Sequence, residues 1–174
     1  MRELETKRLF LRKLRKDDAE SIFRNWASDS EVAKYVTWNA HKDINETKAI
    51  LDMWLAEYDN DKCYRYGIEN KADSELIGMI DVVGYHHGNP VIGYCSCRRY
   101  WGNGYMTEAL GAVMKELAED GFDTLVIEAA EENVASNRVI VKNGFQLVGK
   151  REDRLSEMKP QAVTINSYRY YVDR

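Results

Sequence analysis

The chain has 174 residues, 44% of them hydrophobic, and only two prolines; that suffices for one packed domain spanning 1–174 and leaves no Gly/Ser-rich stretch to act as a linker. The net charge of −4, with both signs mixed along the chain, excludes nucleic acid as the main partner, since a phosphate backbone demands a basic face, and it suits a cationic or amine partner. No apolar run reaches the roughly 18 residues of a spanning helix, and no signal peptide precedes Arg2-Glu3-Leu4, so a cytoplasmic protein with no membrane partner and three reduced thiols (Cys63, Cys95 and Cys97) is expected.

Residues 8–14 read as a first strand, although their alternation is mixed. Acidic residues at Asp17 and Asp18 then open a helix whose buried stripe is Ile22, Phe23 and Trp26; its end falls in Ser28-Asp29-Ser30. Residues 32–38 form a short connection carrying Tyr35 and Trp38. A second helix at about 44–58 places Ile50, Leu51, Trp54, Leu55 and Tyr58 on one stripe, most simply core.

The period then changes to two. Strands are expected at 64–69, 76–85 and 91–97, joined by a polar turn at 70–75 and by His86-His87-Gly88-Asn89-Pro90, as an antiparallel meander. Gly78 and Gly84 mark bulges or close backbone approaches. Cys95 and Cys97 share one face of the third strand; C-x-C is not the C-x-x-C of structural zinc, so they read as small packing residues and no metal is expected.

The stretch that organises the chain follows. Ser96-Cys97-Arg98-Arg99-Tyr100-Trp101-Gly102-Asn103-Gly104-Tyr105-Met106-Thr107-Glu108 turns through two glycines into an amphipathic helix at about 105–120, with Ala109, Leu110, Val113, Met114 and Leu117 facing a sheet and Gly121 ending it. A strand, a glycine turn and a helix start make an anion cradle, because the first helical N–H groups lack internal partners and the helix dipole is positive there. The spacing is neither G-x-G-x-x-G, since position 107 is Thr, nor a P-loop. A buried strand at 124–129 completes a β–α–β crossover, so the strands at either side of the helix are expected near-parallel. The segment 132–145, with a polar start at Asn133 and a stop at Gly144, reads as a short helix. A strand at 146–152, a loop through Pro160 and a strand at 163–172 finish the sheet.

Two of these stretches resemble the GCN5-related N-acetyltransferases. The first resembles their acetyl-CoA loop, Arg/Gln-x-x-Gly-x-Gly/Ala, in either of two registers, one opening at Arg99 and one running from Trp101 to Met106. It also resembles the Tyr-Trp-Gly-x-Gly-Tyr-x-Thr-Glu-Ala version of the RimJ/RimL-like ribosomal-protein branch, which favours the second register; Met106 stands where a small residue is usual. The second, Asn133-Val134-Ala135-Ser136-Asn137-Arg138-Val139-Ile140-Val141-Lys142-Asn143-Gly144-Phe145, resembles that family's Asn-x-x-Ser-x-Arg-Val-x-x-Lys-x-Gly-Phe. The opening Thr6, Arg8, Leu9, Leu11, Arg12, Leu14 and Asp18 is similar to the same branch. The resemblance implies an α+β, three-layer fold with a mixed central sheet of about six to seven strands flanked by about four helices. It also implies a splay between the strands around the loop helix, which periodicity does not show, and it allows a homodimer.

It further implies acetyl-CoA as cosubstrate and an amine as acceptor. Cofactor-binding residues are then Ser96, Trp101, Gly102, Asn103, Gly104, Tyr105, Met106 and Thr107, with Asn133 and Ser136 toward the pantetheine arm; Asn133 reads equally as a helix N-cap. Residues 36–38 fall at the acceptor pocket. The catalytic candidates are Tyr94, or its neighbour Ser96, as backbone donor to the developing oxyanion, Ser136 as proton donor to the departing thiolate, and Glu128 as base. Asp81, His86, His87 and Glu131 are alternative bases, or a water chain serves. The family's Tyr before Gly-Phe is replaced by Ile140, and its Glu at the start of the central strand by Val91. Three functions fit: acetyl transfer to a protein or peptide α-amine, the same transfer to a small amine such as a polyamine, aminoglycoside or amino acid, and non-catalytic sensing of CoA.

Overall fold

The computed structural model describes residues 1–60 and 62–173. Among the described residues, eight strands form one sheet in the order β1-β2-β3-β4-β5-β6-β8-β7. They are β1 (Leu4–Glu5), β2 (Leu9–Arg12), β3 (Arg65–Asn70), β4 (Glu75–His86), β5 (Asn89–Ser96), β6 (Thr124–Ala130), β7 (Gln146–Ser156) and β8 (Lys159–Tyr171). The α-helices of the described residues are α1 (Ala19–Ile22), α2 (Ser30–Ala33), α3 (Ile44–Ala56), α4 (Tyr105–Glu119) and α5 (Val134–Lys142). The α+β architecture and mixed sheet are those expected; the strands exceed the expected number because Leu4–Glu5 pairs with Phe10 and Leu11 as an added edge.

All neighbours in the sheet are antiparallel except β5 and β6, which flank the crossover helix α4. Those two strands share a single register pair, Val91 with Val126. Beyond it they part, so Tyr94 and Ser96 have no β6 neighbour. This is the expected splay, and it opens the middle of the sheet.

Each face of the sheet has its own core. Ala109, Leu110, Val113 and Leu117 of α4 are fully buried against Leu9, Tyr66, Ile80, Ile92 and Ile127, together with Ile140 of α5. Burying a side chain such as Leu110 or Leu117 contributes roughly 1.5–3 kcal/mol each. On the opposite face Ile22, Trp26, Val32 and Leu51 pack on Leu14, Leu76 and Met79. Of the expected α3 stripe only Leu51 is fully buried; Trp54, Leu55 and Tyr58 line the edge of this second core.

The first helix is more irregular than its sequence pattern suggests. α1 runs into a π-helical turn, Phe23–Ala27. Ser28 ends it twice over, donating from its N–H at 3.1 Å and from its hydroxyl at 2.7 Å to the Phe23 carbonyl. Asp29 then caps α2 by accepting from the Glu31 N–H at 2.9 Å. The chain is thereby turned so that α2 and the residues after it reach the gap between β5 and β6.

The expected loop through Pro160 is replaced by a hairpin: β7 extends to Ser156 and β8 begins at Lys159. β6 pairs only with 165–171 of β8, so the stretch around Pro160 has β7 on one side alone, and a residue lacking an N–H is tolerated there.

Candidate active site

The turn before α4 leaves the helix start open. Gly104 is the N-cap with φ of 77° and provides no side-chain cap. A glycine is suited to this left-handed backbone, and the N–H groups of residues 105–107 have no acceptor within the helix. They look into a cleft of about 590 Å³ that runs from this turn past Tyr94 and Ser96 to the start of α5.

The turn is held in place from several sides. Arg8 donates from Nη1 to the Asn103 carbonyl at 2.9 Å and from Nε to Glu108 at 2.7 Å, and its guanidinium lies 4.4 Å from the Tyr105 ring centroid. Glu108 also accepts from the Thr6 hydroxyl at 2.6 Å and the Arg8 N–H at 2.9 Å. Burial alone would raise the Glu108 carboxyl, but these bonds outweigh it and hold it below the ordinary carboxylate range. The Trp101 indole donates to the Ser96 carbonyl at 2.9 Å, tying the turn to the end of β5. Asn103 donates to the carbonyls of Tyr100 and Trp101 and does not line the cleft, so it braces the turn.

Ser96, Trp101, Gly102, Gly104, Tyr105, Met106, Thr107, Asn133 and Ser136 all line the cleft. Arg99 does not; its guanidinium rests over the Tyr100 ring. Of the register running from Trp101 to Met106, every residue but Asn103 lines the cleft. Arg138 and Lys142 of α5 border the same cleft.

Tyr94 brings more than its backbone. Its hydroxyl is 2.9 Å from the Ser136 hydroxyl and 3.3 Å from the Ser136 carbonyl. Burial pushes the phenol up to about 12, while the Ser136 bond pulls it down. The backbone faces the gap as well. The Cys97 N–H donates to the Ile77 carbonyl of β4 at 2.7 Å, and along a strand the N–H groups alternate, so those of Ser96 and Tyr94 point toward the open side. Asn133 accepts from the Ser136 N–H at 3.2 Å and so caps α5 while it lines the cleft.

The base candidates are not gathered with these groups. Glu128 lies outside the cleft, in a two-pronged pair with Arg151 at 2.6 and 2.9 Å, because its side chain sits on the exposed face of β6. Asp81 is buried beside Arg65, at 2.9 Å; burial raises its carboxyl and Arg65 opposes that. Glu131 pairs with Lys150. His86 and His87 meet edge to face at the exposed β4–β5 turn.

One residue that sequence reading passed over ties the site together. Asn137 donates to the carbonyls of Ala130 at 2.9 Å and Asn133 at 2.8 Å, and accepts from Tyr168 at 2.6 Å and Asn166 at 3.0 Å. It fixes the turn between β6 and α5 to β8. An Asn inside a helical pattern, four residues after a capping Asn, is a signal for such backbone bonding. Glu31, Lys34, Tyr35 and Val36 also line the cleft, brought there by the bend before α2.

Residues 8–146 match the acetyltransferase (GNAT) domain family. YoaA of Bacillus subtilis (strain 168), an uncharacterized N-acetyltransferase, is 33% identical over 152 residues, covering 84% of each chain. Among solved structures, RimL, a ribosomal L7/L12 α-N-protein acetyltransferase in complex with coenzyme A, superposes with a TM-score of 0.85 at 20% identity over 99% of both chains. The microcin C7 self-immunity acetyltransferase MccE, in complex with acetyl-CoA and AMP, gives 0.82 at 19% identity over 96% of this chain and 94% of that one. These two are likenesses of fold. The family match over most of the chain, together with YoaA, identifies the protein as a member of the GNAT acetyltransferase family, and hence an acyltransferase.

Proposed function

We propose that the protein transfers an acetyl group from acetyl-CoA to a primary amine held with it in one cleft, and that the amine is the N-terminal α-amine of a protein or peptide. The observation that carries the transfer reading is the uncapped start of α4 opening onto the gap between β5 and β6. The peptide reading rests on the RimJ/RimL-like loop from Tyr100 to Glu108, and the fold neighbours include RimL, an α-N-protein acetyltransferase.

When bound, acetyl-CoA supplies the acyl group activated as a thioester. The residues fit it: the N–H groups of 105–107 suit its pyrophosphate, the polar Asn133 and Ser136 suit the amides of its arm, and Arg138 and Lys142 suit a phosphate at the rim. The N–H groups of Tyr94 and Ser96 face the gap and are suited to stabilise negative charge growing on an acyl oxygen; one such donor contributes roughly 3–4 kcal/mol in acyl transfer. The Tyr94 and Ser136 hydroxyls, hydrogen-bonded at 2.9 Å, are suited to pass a proton to a departing sulfur. Tyr94 thereby occupies the chemical role left open by Ile140. Holding both reactants in one cleft supplies the largest share, about 7–11 kcal/mol. The acceptor must arrive neutral, since Glu128, Asp81 and Glu131 are all paired elsewhere and none of them is placed to take its proton.

A small cationic amine is the second reading. It is favoured by Glu31 and Glu132, two exposed carboxylates that border the cleft. The deciding experiment is free-thiol release from acetyl-CoA with two acceptor sets, peptides of varied N-terminal residue on one side and polyamines, aminoglycosides and amino acids on the other. Turnover confined to peptides supports the first reading, and turnover confined to small amines replaces it with the second. Tight CoA binding with no thiol released across both sets would make the protein a CoA sensor instead.

A further inference from the structure

Residues 34–38 follow α2 and belong to no helix, yet Tyr35 and Val36 form one wall of the cleft. Their carbonyl side is reached by a lysine from the far end of the chain. Lys159, the first residue of β8, donates from Nζ to the carbonyl of Ala33 and, at 2.7 Å, to that of Val36. The last turn of α2 leaves carbonyls without helical donors and a partial negative charge, which a cation satisfies. Lys159 is half-buried, and among the described residues no carboxylate pairs with it; burial lowers its pKa. Withdrawing an ammonium from water and freezing four rotatable bonds is unfavourable, so a hairpin-tip lysine would stay solvated unless these carbonyls held it. The hairpin it comes from is exposed along nearly all of β7, and Met158 beside it is 59% exposed.

We infer that Lys159 is a clasp that binds the β7–β8 hairpin to residues 33–36 and so fixes the wall against which the acceptor amine is placed. The acceptor assignment of this wall rests on the proposed transfer reading; the clasp itself does not. Lys159 is thus a positioning residue, with no contact to the groups of the α4 turn.

The test compares Lys159→Met, Lys159→Arg and the unaltered protein, first by amide hydrogen exchange. Lys159→Met should speed exchange at 33–38 and 156–160 by about tenfold or more, leave 99–107 unchanged, and Lys159→Arg, which keeps donors in reach, should recover most of the protection. With whichever of a Ser-initiated tetrapeptide or spermidine the unaltered protein acetylates, Lys159→Met should raise the acceptor KM about tenfold while the acetyl-CoA KM stays put. Unchanged exchange at 33–38, or equal rises in both KM values, would overturn the clasp. If neither acceptor is turned over by the unaltered protein, an acceptor that is turned over in the two sets above takes its place; silence across both sets is a failure of the transfer reading, and exchange still decides the clasp.

Discussion

At the scale of single residues, two arrangements carry most of the consequences. The first is the pair of hydroxyls on Tyr94 and Ser136. Because burial pushes the Tyr94 phenol up to about 12, it stays protonated through the working range, and the rate should rise with pH as the amine deprotonates, with no falling limb from Tyr94 until pH nears that value. Tyr94→Phe should lower kcat by about 10²-fold or more while leaving the acetyl-CoA KM nearly unchanged, since general-acid donation acts mainly at the transition state. Steady-state kinetics on the two variants Tyr94→Phe and Ser136→Ala test this; equal kcat in all three proteins would remove the pair from the mechanism.

The second arrangement is the buried Arg12, whose Nη atoms meet Asp18 at 2.9 and 3.0 Å while its Nε meets Glu69 at 2.7 Å. Asp18 also accepts from the Arg15 N–H at 2.7 Å, closing the turn before α1. Removing Asp18 leaves Arg12 with Glu69 and the Lys13 carbonyl, so Asp18→Ala should lose about 1.5–3 kcal/mol of unfolding free energy, whereas Arg12→Met, which strands Asp18 and Glu69 together, should lose more. Urea unfolding of the two variants separates these outcomes. Neither residue touches the cleft, so within the N-terminal stretch that resembles the RimJ/RimL-like branch Arg12 and Asp18 serve to hold the fold together.

At the scale of elements, the anion turn is built by parts of the chain a hundred residues apart. Thr6 and Arg8, read in the sequence only as the letters of a strand motif, converge on Glu108 and Asn103 and hold the start of α4 in position. Arg8→Ala should therefore raise the acetyl-CoA KM several-fold, about 1–2 kcal/mol in charge-assisted bonds, without altering acceptor preference. The β4–β5 pairing is equally exacting. A Cβ on Gly78 would lie 2.5 Å from the Cys95 carbonyl and 3.0 Å from the Ser96 Cα. Backbone cannot yield as a side-chain tip does, so Gly78→Ala should displace Ser96 at the lip of the cleft, and both melting temperature and CoA affinity should fall together; calorimetry on the free and CoA-loaded protein reports both.

At the scale of the whole molecule, acid stability follows from carboxylates held below their ordinary values. Asp73 is lowered chiefly by the Tyr100 hydroxyl, Glu75 chiefly by Asn25, and Glu108 by Thr6 and Arg8 against the opposing effect of burial. A carboxylate whose folded pKa is depressed stabilises the fold above its unfolded pKa and loses that contribution as pH falls through the folded one. Unfolding midpoints in urea should thus be flat near neutrality and drop steeply below about pH 4. Glu108→Gln should be less stable at neutral pH and show a shallower drop; an unchanged slope would mean Glu108 contributes no linkage.

The sequence by itself determined the local pieces: the strand–turn–helix around Gly104, the cap at Asn133, the amphipathic face of α4 and the α+β order. It did so because periodicity, glycine and capping side chains act within a few residues of their own position. What only the tertiary structure decided are the relations that cross the sheet. The parting of β5 and β6 after Val91, the meeting of Tyr94 with Ser136, the diversion of Glu128 to Arg151, and the reach of Lys159 to Val36 each depend on register and on which face a side chain occupies. Those are set by packing two cores on one sheet, and no run of neighbouring residues encodes them.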